Sequence, residues 1–451
     1  MNLTSILDLL LKQIFGQPFI LMGLVVLIGY LAMKQSVSKA VIGALKASIG
    51  ILVMGMGSSA LIGNFNKVIV AVTTATGLQG AGLNTYPTMT AGYEVMDKIL
   101  GAGTGATWGI YTLLVAFILN LIFVALRKYT KIRAVYLTGN AMIVQAGITT
   151  FIVWKFLNLP MVPTVLISAV ITALYWGIFS TMLIKPTQAI TNADFTVAHQ
   201  QMFIDYIAYK VAPYLGNAEK DDIEKKKMPT SLNVFQDNII ATMLVMFVSI
   251  AIIFIIIGGD SISWLRGAEG LNQGGLTNNL IFLFWISVTL TANIVVLLSG
   301  VRMFVGEIMM SFKGISDKLL PGAVAGVDCA AIFAFAPKSV VLGLMFGTIG
   351  QVIGLLGLIV FKSPIFLIPG FIPLFFDNAT IAIFANKFGG WKAAAIICTL
   401  HGIVQIFGSM MAIQMLNISW WQGSGDYATI WVGIIAIIKA IGSMLGIPIA
   451  A

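Results

Sequence analysis

The chain has 451 residues, of which 59% are hydrophobic and 10% are charged, and its formal net charge is +9. A soluble globular domain carries about 25% charged residues, so this composition predicts a polytopic membrane protein. In such a protein the positive charge collects in cytoplasmic loops, and nothing in its distribution resembles a nucleic-acid patch. Both cysteines lie in apolar runs without partner spacing, which indicates neither a disulfide framework nor a metal site.

Apolar segments long enough to cross about 30 Å of hydrocarbon as helices recur along the whole chain. They lie near residues 18–33, 42–62, 101–126, 139–157, 164–184, 239–258, 278–300, 323–361, 393–415 and 429–450. The region 323–388 allows either two crossings or one crossing and a re-entrant segment. We therefore expect an all-α polytopic protein with about 11 transmembrane helices.

Basic residues predict the orientation of these helices. The loops near residues 34–46 and 127–133 are rich in Lys and Arg, which places both in the cytoplasm and the N-terminus outside. The stretch 214–231, YLGNAEKDDIEKKKMPTS, has the composition of a soluble segment. We interpret it as a cytoplasmic linker between a first membrane repeat, residues 1–213, and a second, residues 232–451.

Two pairs of similar motifs indicate this internal repeat. TNADFTVAHQQMF resembles DNATIAIFANKFG when Asn192 is set on Asn378, and LTGNAM resembles LPGAVA when Gly139 is set on Gly322. Both comparisons give an offset of about 185 residues, which is typical of a duplicated unit. Chance similarity in an apolar sequence is the alternative. Internal repeats with broken helices are the usual plan of transporters that bind cargo between their halves.

Prolines and glycines inside apolar regions predict two broken helices or re-entrant hairpins. One such region is PGFIPLFFDNAT, which contains Asp377, and the other is 185–213. A continuous helix is hard to sustain at either place, because proline lacks a backbone N–H and clashes with the preceding turn. Irregular backbone at membrane depth must be buried in protein or line a cavity.

Polar residues crowd into the segment 186–213, PTQAITNADFTVAHQQMFIDYIAYKVAP, of an otherwise apolar chain. Hydrocarbon cannot satisfy so many donors and acceptors, so the segment must line a cavity or be enclosed by other helices. His199 and Gln200 are its strongest candidates for ligand binding, since imidazole and carboxamide groups offer donors and acceptors to the hydroxyls of a sugar-like ligand. Alternatively, both residues only tie two helices together.

Three further residues stand out. Asp328 is an isolated carboxylate in the tract PGAVAGVDCAAIFAFAP, which indicates a substrate, proton or counter-ion position unless it pairs with Arg302 or Lys318. Thr85 and Tyr86, in a glycine-rich region, could supply hydroxyl contacts and an aromatic wall for a planar ring. The alternative for Tyr86 is an anchor at the membrane interface.

Residues 139–145, GNAMIVQ, open a predicted helix whose first N–H groups could meet an anionic ligand, unless that helix start is merely capped. The sequence contains no nucleophile constellation, no metal-ligand cluster and no Walker-type phosphate-binding motif. We therefore expect neither a cofactor nor a catalytic residue, and transport would be energised by an ion gradient or a partner.

Long tracts of the chain, in order, closely resemble a known family. They are LTGNAMIVQAG, LYWGIFSTMLIKPTQAITNADFTVAHQQ, IAYKVAPYLG, GVRMFVGEI, FKGISDKLLPGAVAGVDCAAIFAFAP and IPGFIPLFFDNATIAIFANKFGGW. The chain resembles the ascorbate-family membrane permease, enzyme IIC, of the bacterial phosphotransferase system, from the first predicted span to the last.

This resemblance implies a homodimeric, multi-pass permease of the bacterial inner membrane that carries L-ascorbate. Its protomer would be built from inverted repeats with two re-entrant hairpins, and a core domain would carry the cargo against a fixed dimerisation domain. A separate IIB protein, recharged by IIA, would phosphorylate the cargo to ascorbate 6-phosphate. The chain itself would be a transport component rather than an enzyme.

The same resemblance implies a set of ascorbate contacts, most of which the polar residues had already indicated. They are Thr85, Tyr86, Asn140, Ala141, Met142, Ile143, Val144, His199, Gln200 and Asp328. Asn140 stands where the family commonly has a His, and Val144 stands where it commonly has a Gln. A hydrogen-bond donor is thus kept at the first position and lost at the second. Because ascorbate is largely a monoanion at neutral pH, we expect Asp328 to accept from its hydroxyls rather than to face the enolate.

Two other classes of function are compatible with the residues alone. An ion-coupled symporter of a sugar-like or vitamin substrate would need no phosphorylating partner. A non-transporting sensor would bind its ligand without moving it, but the many polar residues at membrane depth argue against that class.

Overall fold

A computed structural model describes residues 18–76, 80–226, 238–271, 278–318, 320–370 and 373–449. Its helices are α1 (Pro18–Ala32), α2 (Val37–Thr76), α3 (Thr85–Leu100), α4 (Thr104–Ala125), α5 (Arg127–Thr130), α6 (Gly139–Leu157), α7 (Met161–Met182), α8 (Ile184–Thr191), α9 (Met202–Leu215), α10 (Ala218–Asp221), α11 (Asn238–Ala268), α12 (Asn279–Lys318), α13 (Pro337–Val360), α14 (Asn378–Leu416) and α15 (Ile430–Met444). Its strands are β1 (Gly80–Leu83), β2 (Ala134–Tyr136), β3 (Phe195–Val197), β4 (Val324–Val327), β5 (Phe366–Ile368) and β6 (Trp420–Trp421).

Apolar helices dominate this architecture, as the composition predicts. Within the described ranges, 5 helices are long and apolar enough to cross a membrane, or up to 6 if the bent pair in α11 forms one span. Other apolar helices are shorter, such as Ala141–Leu157 and Ile430–Met444. The prediction of a mostly helical membrane protein is therefore confirmed, whereas the count of about 11 spans stays a prediction.

Two three-stranded sheets interrupt the helices, and sequence analysis did not predict them. The first sheet has the order β2-β4-β3 and the second the order β5-β1-β6, and every pairing in both is parallel. The strands have two to four residues. Strands this short show no recognisable alternation of apolar and polar residues, and each lies inside or beside a longer apolar run.

The order of elements repeats along the chain. A 40-residue helix precedes a strand twice, α2 before β1 and α12 before β4. Each half supplies the central strand of one sheet and the two outer strands of the other. This order supports our proposal of two membrane repeats, residues 1–213 and 232–451.

The structure does not support the offset of about 185 residues that the motif comparison predicts. Asn192 ends helix α8, whereas Asn378 begins helix α14, so the two residues do not occupy equivalent positions. The order of elements instead relates β1 to β4, β2 to β5 and β3 to β6. The first motif runs from the end of α8 through β3, whereas the second lies mostly within α14, so the two are alike only in composition.

Part of the predicted linker is docked on the membrane helices rather than hydrated. Asn386 of α14 accepts a hydrogen bond from Ile223 N–H at 3.0 Å and donates to the Asp222 carboxylate at 2.7 Å. Glu224 Oε1 accepts from both the N–H (2.7 Å) and the hydroxyl (2.9 Å) of Ser339 at the start of α13. The segment therefore clamps α13 to α14. The rest of the linker, residues 227–231, lies outside the described ranges.

Helix α14 changes direction at Gly390, next to this docked segment. Gly390 has φ 81° and ψ 175°, a conformation that side-chain-bearing residues rarely adopt. A Cβ atom at this position would lie 2.6 Å from the Cβ of Asp221. Both the backbone conformation and the close approach of the docked segment therefore require glycine.

Glu224→Ala is expected to lower the free energy of unfolding by about 1–3 kcal/mol, because it leaves the start of α13 without its acceptor. Burial raises the pKa of the Glu224 carboxyl, so the neutral Glu224→Gln, whose amide oxygen still accepts, should retain most of the stability. The measurement is the unfolding midpoint in lipid nanodiscs. Glu219→Ala, an exposed position of the same segment, is the matched control. Equal midpoints for Glu224→Ala and Glu219→Ala would show that the clamp contributes no stability.

Candidate functional site

The first sheet brings three distant segments to one edge. Tyr136 of β2 is paired with Gly326 of β4, and Val197 of β3 is paired with Val327 of β4. Because all three strands are parallel, their carboxyl ends lie side by side. The segments that follow these ends carry His199, Gln200, Asp328 and the first turn of α6. The predicted residues of these segments therefore come together at this edge.

Hydrogen bonds fix the segments that follow the outer strands to each other. The Thr138 hydroxyl donates to the Ala198 carbonyl at 2.6 Å, and the Gln200 amide donates to the Ala141 carbonyl at 2.9 Å. Gln200 is 1% exposed. Within the described ranges, the Thr138 side chain accepts no capping hydrogen bond from the start of α6. The first N–H groups of α6 are therefore not used by a side-chain cap.

Asp328 begins a 3-10 helix, Cys329–Phe335, at the carboxyl end of β4. Its Oδ1 accepts from the N–H of Ala330 at 3.1 Å and from the thiol of Cys329 at 3.4 Å. Arg302 and Lys318 are exposed, and neither forms an ion pair with Asp328 in the described part of the chain. The structural alternative of a buried pair is therefore not realised, and the carboxylate keeps acceptor capacity at the edge of the sheet.

His199 lies beside this carboxylate. Its Nδ1 is 2.6 Å from the Oε1 of Gln201, and its ring stacks on Phe376 with a centroid distance of 6.3 Å. Ligand atoms of His199, Asp328 and Cys329 all lie within 4.8 Å of one another, a spacing that a metal ion could also use. The Cys329 thiol donates to Asp328, and it would have to lose its proton to bind a metal. The same three groups can also hydrogen-bond a polar ligand.

The carboxyl end of β1, in the second sheet, leads into the other predicted contacts. Thr85 begins α3 and is half-buried, directly after the buried Asn84, whose N–H donates to the Trp421 carbonyl at 2.8 Å. The backbones of Tyr86 and Asn140 lie in α3 and α6, but their side chains lie outside the described part of the chain. The described hydrogen bonds of the first sheet's edge do not include Thr85.

The remaining predicted residues form an apolar wall in α6. Met142 and Val144 are buried and Ile143 is half-buried, whereas Ala141 contributes its carbonyl to Gln200. Val144 has no hydrogen-bonding group, so this wall can select a ligand by shape but cannot donate to it.

Asp426 joins the edges of the two sheets, and sequence analysis missed it. This residue follows β6, and its carboxylate accepts from the N–H groups of Phe203 (2.9 Å) and Ile204 (3.1 Å) at the start of α9, and from the Tyr175 hydroxyl. Its own N–H donates to the Gln200 carbonyl at 3.2 Å. A carboxylate is favoured at a helix N-terminus, where N–H groups lack partners within the helix. The signal was present in the sequence, since Asp426 is an isolated acid between two apolar runs, as Asp328 is.

The edge of the first sheet can therefore bind a polar ligand without transforming it. It offers carboxylate, imidazole and amide groups to hydroxyls, and the N–H groups of a helix start to a negative charge. These groups are enclosed by apolar residues at membrane depth, where polar side chains mark pathways for substrates and ions. This is the kind of site expected of a membrane transport protein.

Comparison with known proteins agrees with that class. The family model described as "PTS system sugar-specific permease component" matches residues 13–439, and the chain belongs to this family. It is therefore a sugar-specific permease component, IIC, of a phosphotransferase system.

A particular relative is more informative about the branch of that family. The chain is 31% identical over 446 residues to the "Ascorbate-specific PTS system EIIC component" of Mycoplasma pneumoniae. The matched region covers 90% of this chain and 66% of the relative, so the chain spans just under two thirds of the length of that protein. The resemblance to the ascorbate branch that the sequence tracts indicate is confirmed.

Asp426→Asn is expected to loosen the start of α9, because the amide replaces one acceptor oxygen with a donor that faces backbone N–H groups. Amide hydrogen exchange of the peptide containing residues 203–204 should accelerate, and the free energy of unfolding should fall by about 1–3 kcal/mol. Tyr175→Phe removes only the hydroxyl donor and leaves both backbone hydrogen bonds, so exchange at 203–204 should stay near the wild-type rate. Unchanged exchange in Asp426→Asn would contradict the role assigned to this carboxylate.

Proposed function

We propose that this chain is the L-ascorbate permease of a phosphotransferase system, which moves ascorbate inward while a separate IIB protein phosphorylates it to ascorbate 6-phosphate. The observation that carries this proposal is the set of acceptors at the carboxyl edge of the first sheet, together with the similarity to an ascorbate-specific relative. The chain contributes binding and movement, and the partner proteins IIA and IIB carry out phosphoryl transfer.

The chemistry of ascorbate suits the groups at this edge. The side-chain hydroxyls of ascorbate can donate to Asp328, to the side-chain amide oxygen of Gln200 and to the unprotonated nitrogen of a neutral His199. Its enolate is negative at neutral pH and can face the first N–H groups of α6, where the helix dipole favours an anion. The bound molecule would then lie between an acidic side and an electropositive side, which gives it one preferred orientation.

The other proposed contacts complete the enclosure. Thr85 and Tyr86 would approach from the start of α3, and Asn140 would donate at the start of α6. Ala141, Met142, Ile143 and Val144 would supply backbone and apolar contacts. Because Val144 cannot donate a hydrogen bond, ascorbate would be held by fewer side-chain donors here than in relatives with a glutamine at this position.

The proposed movement has the character of an elevator, in which a core domain carries the cargo past a fixed dimerisation domain. Its support is that α1, α2, α11 and α12 pack mainly on one another. Ion pairs and hydrogen bonds reinforce this bundle, with Lys67 Nζ 3.0 Å from Glu269 Oε2 and the Tyr30 hydroxyl 2.6 Å from Glu307 Oε2. We assign this bundle to the dimer interface of a homodimer in the bacterial inner membrane, and the two sheets with their flanking helices to the moving core.

Phosphorylation would make the movement one-way. A phosphate ester adds negative charge and bulk to the cargo. The charged product would no longer fit the acidic side of the site, since Asp328 would repel it. The product would therefore leave to the cytoplasm, and the empty core would return.

Labelled L-ascorbate is expected to bind the purified wild-type protein, and galactitol in excess should not displace it. His199→Ala and Asp328→Asn should each weaken binding by roughly tenfold or more, because each removes an acceptor from a buried site. Ser168→Ala is the matched control, since it removes a buried hydroxyl that has no hydrogen-bond partner among the described residues. Uptake driven by an ion gradient in proteoliposomes without IIA and IIB would instead favour the symporter.

The basic loops near residues 34–46, 127–133 and 210–227 are the proposed docking surface for IIB. Reversing the exposed Lys34, Lys128 and Lys220 to Glu should slow phosphorylation of ascorbate and leave ascorbate binding unchanged. The wild-type rate should also fall with added salt, as expected of steering by surface charge. Glu219→Lys, which adds positive charge beside Lys220, should not slow the reaction. Loss of ascorbate binding in the triple variant would contradict this assignment.

A further inference from the structure

The tautomer of His199 is determined by a chain of hydrogen bonds that reaches into the second half of the protein. Gln201 Nε2 lies 3.1 Å from Thr380 Oγ1, and Thr380 Oγ1 lies 2.5 Å from the Phe376 carbonyl oxygen. Gln201 Oε1 lies 2.6 Å from His199 Nδ1. All four residues are buried.

The direction of each hydrogen bond follows from the Phe376 carbonyl, which ends this series of hydrogen bonds. A backbone carbonyl can only accept, so Thr380 uses its single hydroxyl proton on Phe376. Thr380 must then accept from Gln201, and the Gln201 amide therefore turns its NH₂ toward Thr380 and its oxygen toward His199. An oxygen facing Nδ1 requires a proton on Nδ1, so whenever the imidazole is neutral its Nε2 is the unprotonated acceptor.

Cys329 lies beside the same two side chains. Its thiol donates to Asp328 Oδ1, and Gln201 and Thr380 both lie near its sulfur. With its proton donated to Asp328, the sulfur can only accept. The Gln201 NH₂ therefore suits this position better than the amide oxygen would.

We propose that Gln201 and Thr380 are positioning residues that hold His199 in the Nδ1–H tautomer, so that Nε2 accepts a hydrogen bond from a ligand hydroxyl beside Asp328. A ring nitrogen of His199 and a carboxylate oxygen of Asp328 lie within 4.8 Å of each other, so the two side chains together suit a ligand with two neighbouring hydroxyl donors. The side chain of ascorbate carries such a pair, and this choice of ligand rests on the proposed function. Thr380 and Phe376 belong to the second half of the chain, so that half sets the hydrogen-bonding character of a residue in the first.

The chain provides an internal reference for this assignment, because it has only two histidines. His401 Nδ1 lies 2.9 Å from Asn378 Oδ1. The Asn378 amide donates to the Leu374 carbonyl at 3.0 Å and to Gln405 Oε1 at 3.1 Å, so its oxygen also faces an Nδ1–H. Both histidines are therefore expected as Nδ1–H tautomers. Only the tautomer of His199 depends on Thr380.

The test is solid-state NMR of protein labelled with ¹⁵N-histidine in lipid bilayers, combined with ascorbate binding. The ligand-free wild type should show unprotonated Nε2 for both rings, and His199→Asn assigns the His199 signals by their loss. Thr380→Val keeps the shape but removes the acceptor for Gln201, so the His199 signals should move toward the Nε2–H tautomer. The Kd for ascorbate should then rise roughly tenfold.

Thr380→Ser keeps the hydroxyl, so this variant should retain both the wild-type tautomer of His199 and the wild-type Kd for ascorbate. Gln201→Met removes the amide altogether, so it should release the tautomer of His199 even if Thr380→Val does not fold. The His401 signals should stay unchanged in these variants.

The outcomes separate the two proposals. A wild-type His199 with Nε2–H, or unchanged His199 signals in both Thr380→Val and Gln201→Met, would overturn the positioning role. The expected tautomer shifts without any ascorbate binding by the wild type would support that role and overturn the proposed substrate. Tight ascorbate binding that is insensitive to Thr380 and Gln201 would overturn the positioning role and leave the substrate in place.

Discussion

The need to satisfy every backbone N–H and C=O group in hydrocarbon governs this structure. A transport site needs breaks between helices, and each break exposes backbone groups that water cannot reach. The protein satisfies those groups in two small parallel sheets, where strands from distant parts of the chain hydrogen-bond to one another. The close approach this demands is visible at Gly326, where a Cβ would lie 2.9 Å from the Val135 carbonyl oxygen. The sheets thus make an irregular chain stable inside a membrane protein.

The same sheets create the site. Parallel strands end at a common edge, so the segments that leave β2, β3 and β4 meet without any local sequence relation. Helix starts and helix breaks gather at this edge, and with them N–H groups and side-chain acceptors. The polar groups that would be costly in lipid are used there to hold one another in place, as Asp426 holds the start of α9 and Gln200. Acceptor groups at this edge that the protein's own hydrogen bonds do not use can bind a ligand.

The two halves of the chain depend on each other because they exchange strands. The central strand of each sheet comes from the opposite half, and the partners of His199 extend to Thr380 and Phe376 in the second half. Elsewhere in the fold, the segment 217–226 joins α13 to α14 through Glu224 and Asn386. Such interlocking ties the sheets and their flanking helices together, whereas α1, α2, α11 and α12 form a bundle of their own.

Local features of the sequence were sufficient for the class of the protein and for naming several residues of the candidate site. Hydropathy predicts a helical membrane protein, because each helix must be apolar along its own length. Asp328, His199 and Gln200 were identified because a polar residue in an apolar run is unusual wherever it folds. The ordered tracts that resemble the permease family needed no structure either.

The tertiary structure alone decided how these parts are assembled. The strands are too short to produce a periodic signal, and their pairing joins residues such as Ala134 and Val324 that no local pattern relates. The order of elements therefore does not share the offset that the motif comparison gave, and the docking of residues 217–226 within the predicted linker 214–231 was not foreseen. Gln201, Thr380 and Asp426 acquire their roles only from partners far away in the chain, since Gln201 and Thr380 are 179 positions apart. The composition of a segment can be judged from that segment alone. The direction of a buried hydrogen bond, in contrast, depends on every group that surrounds it in the folded protein.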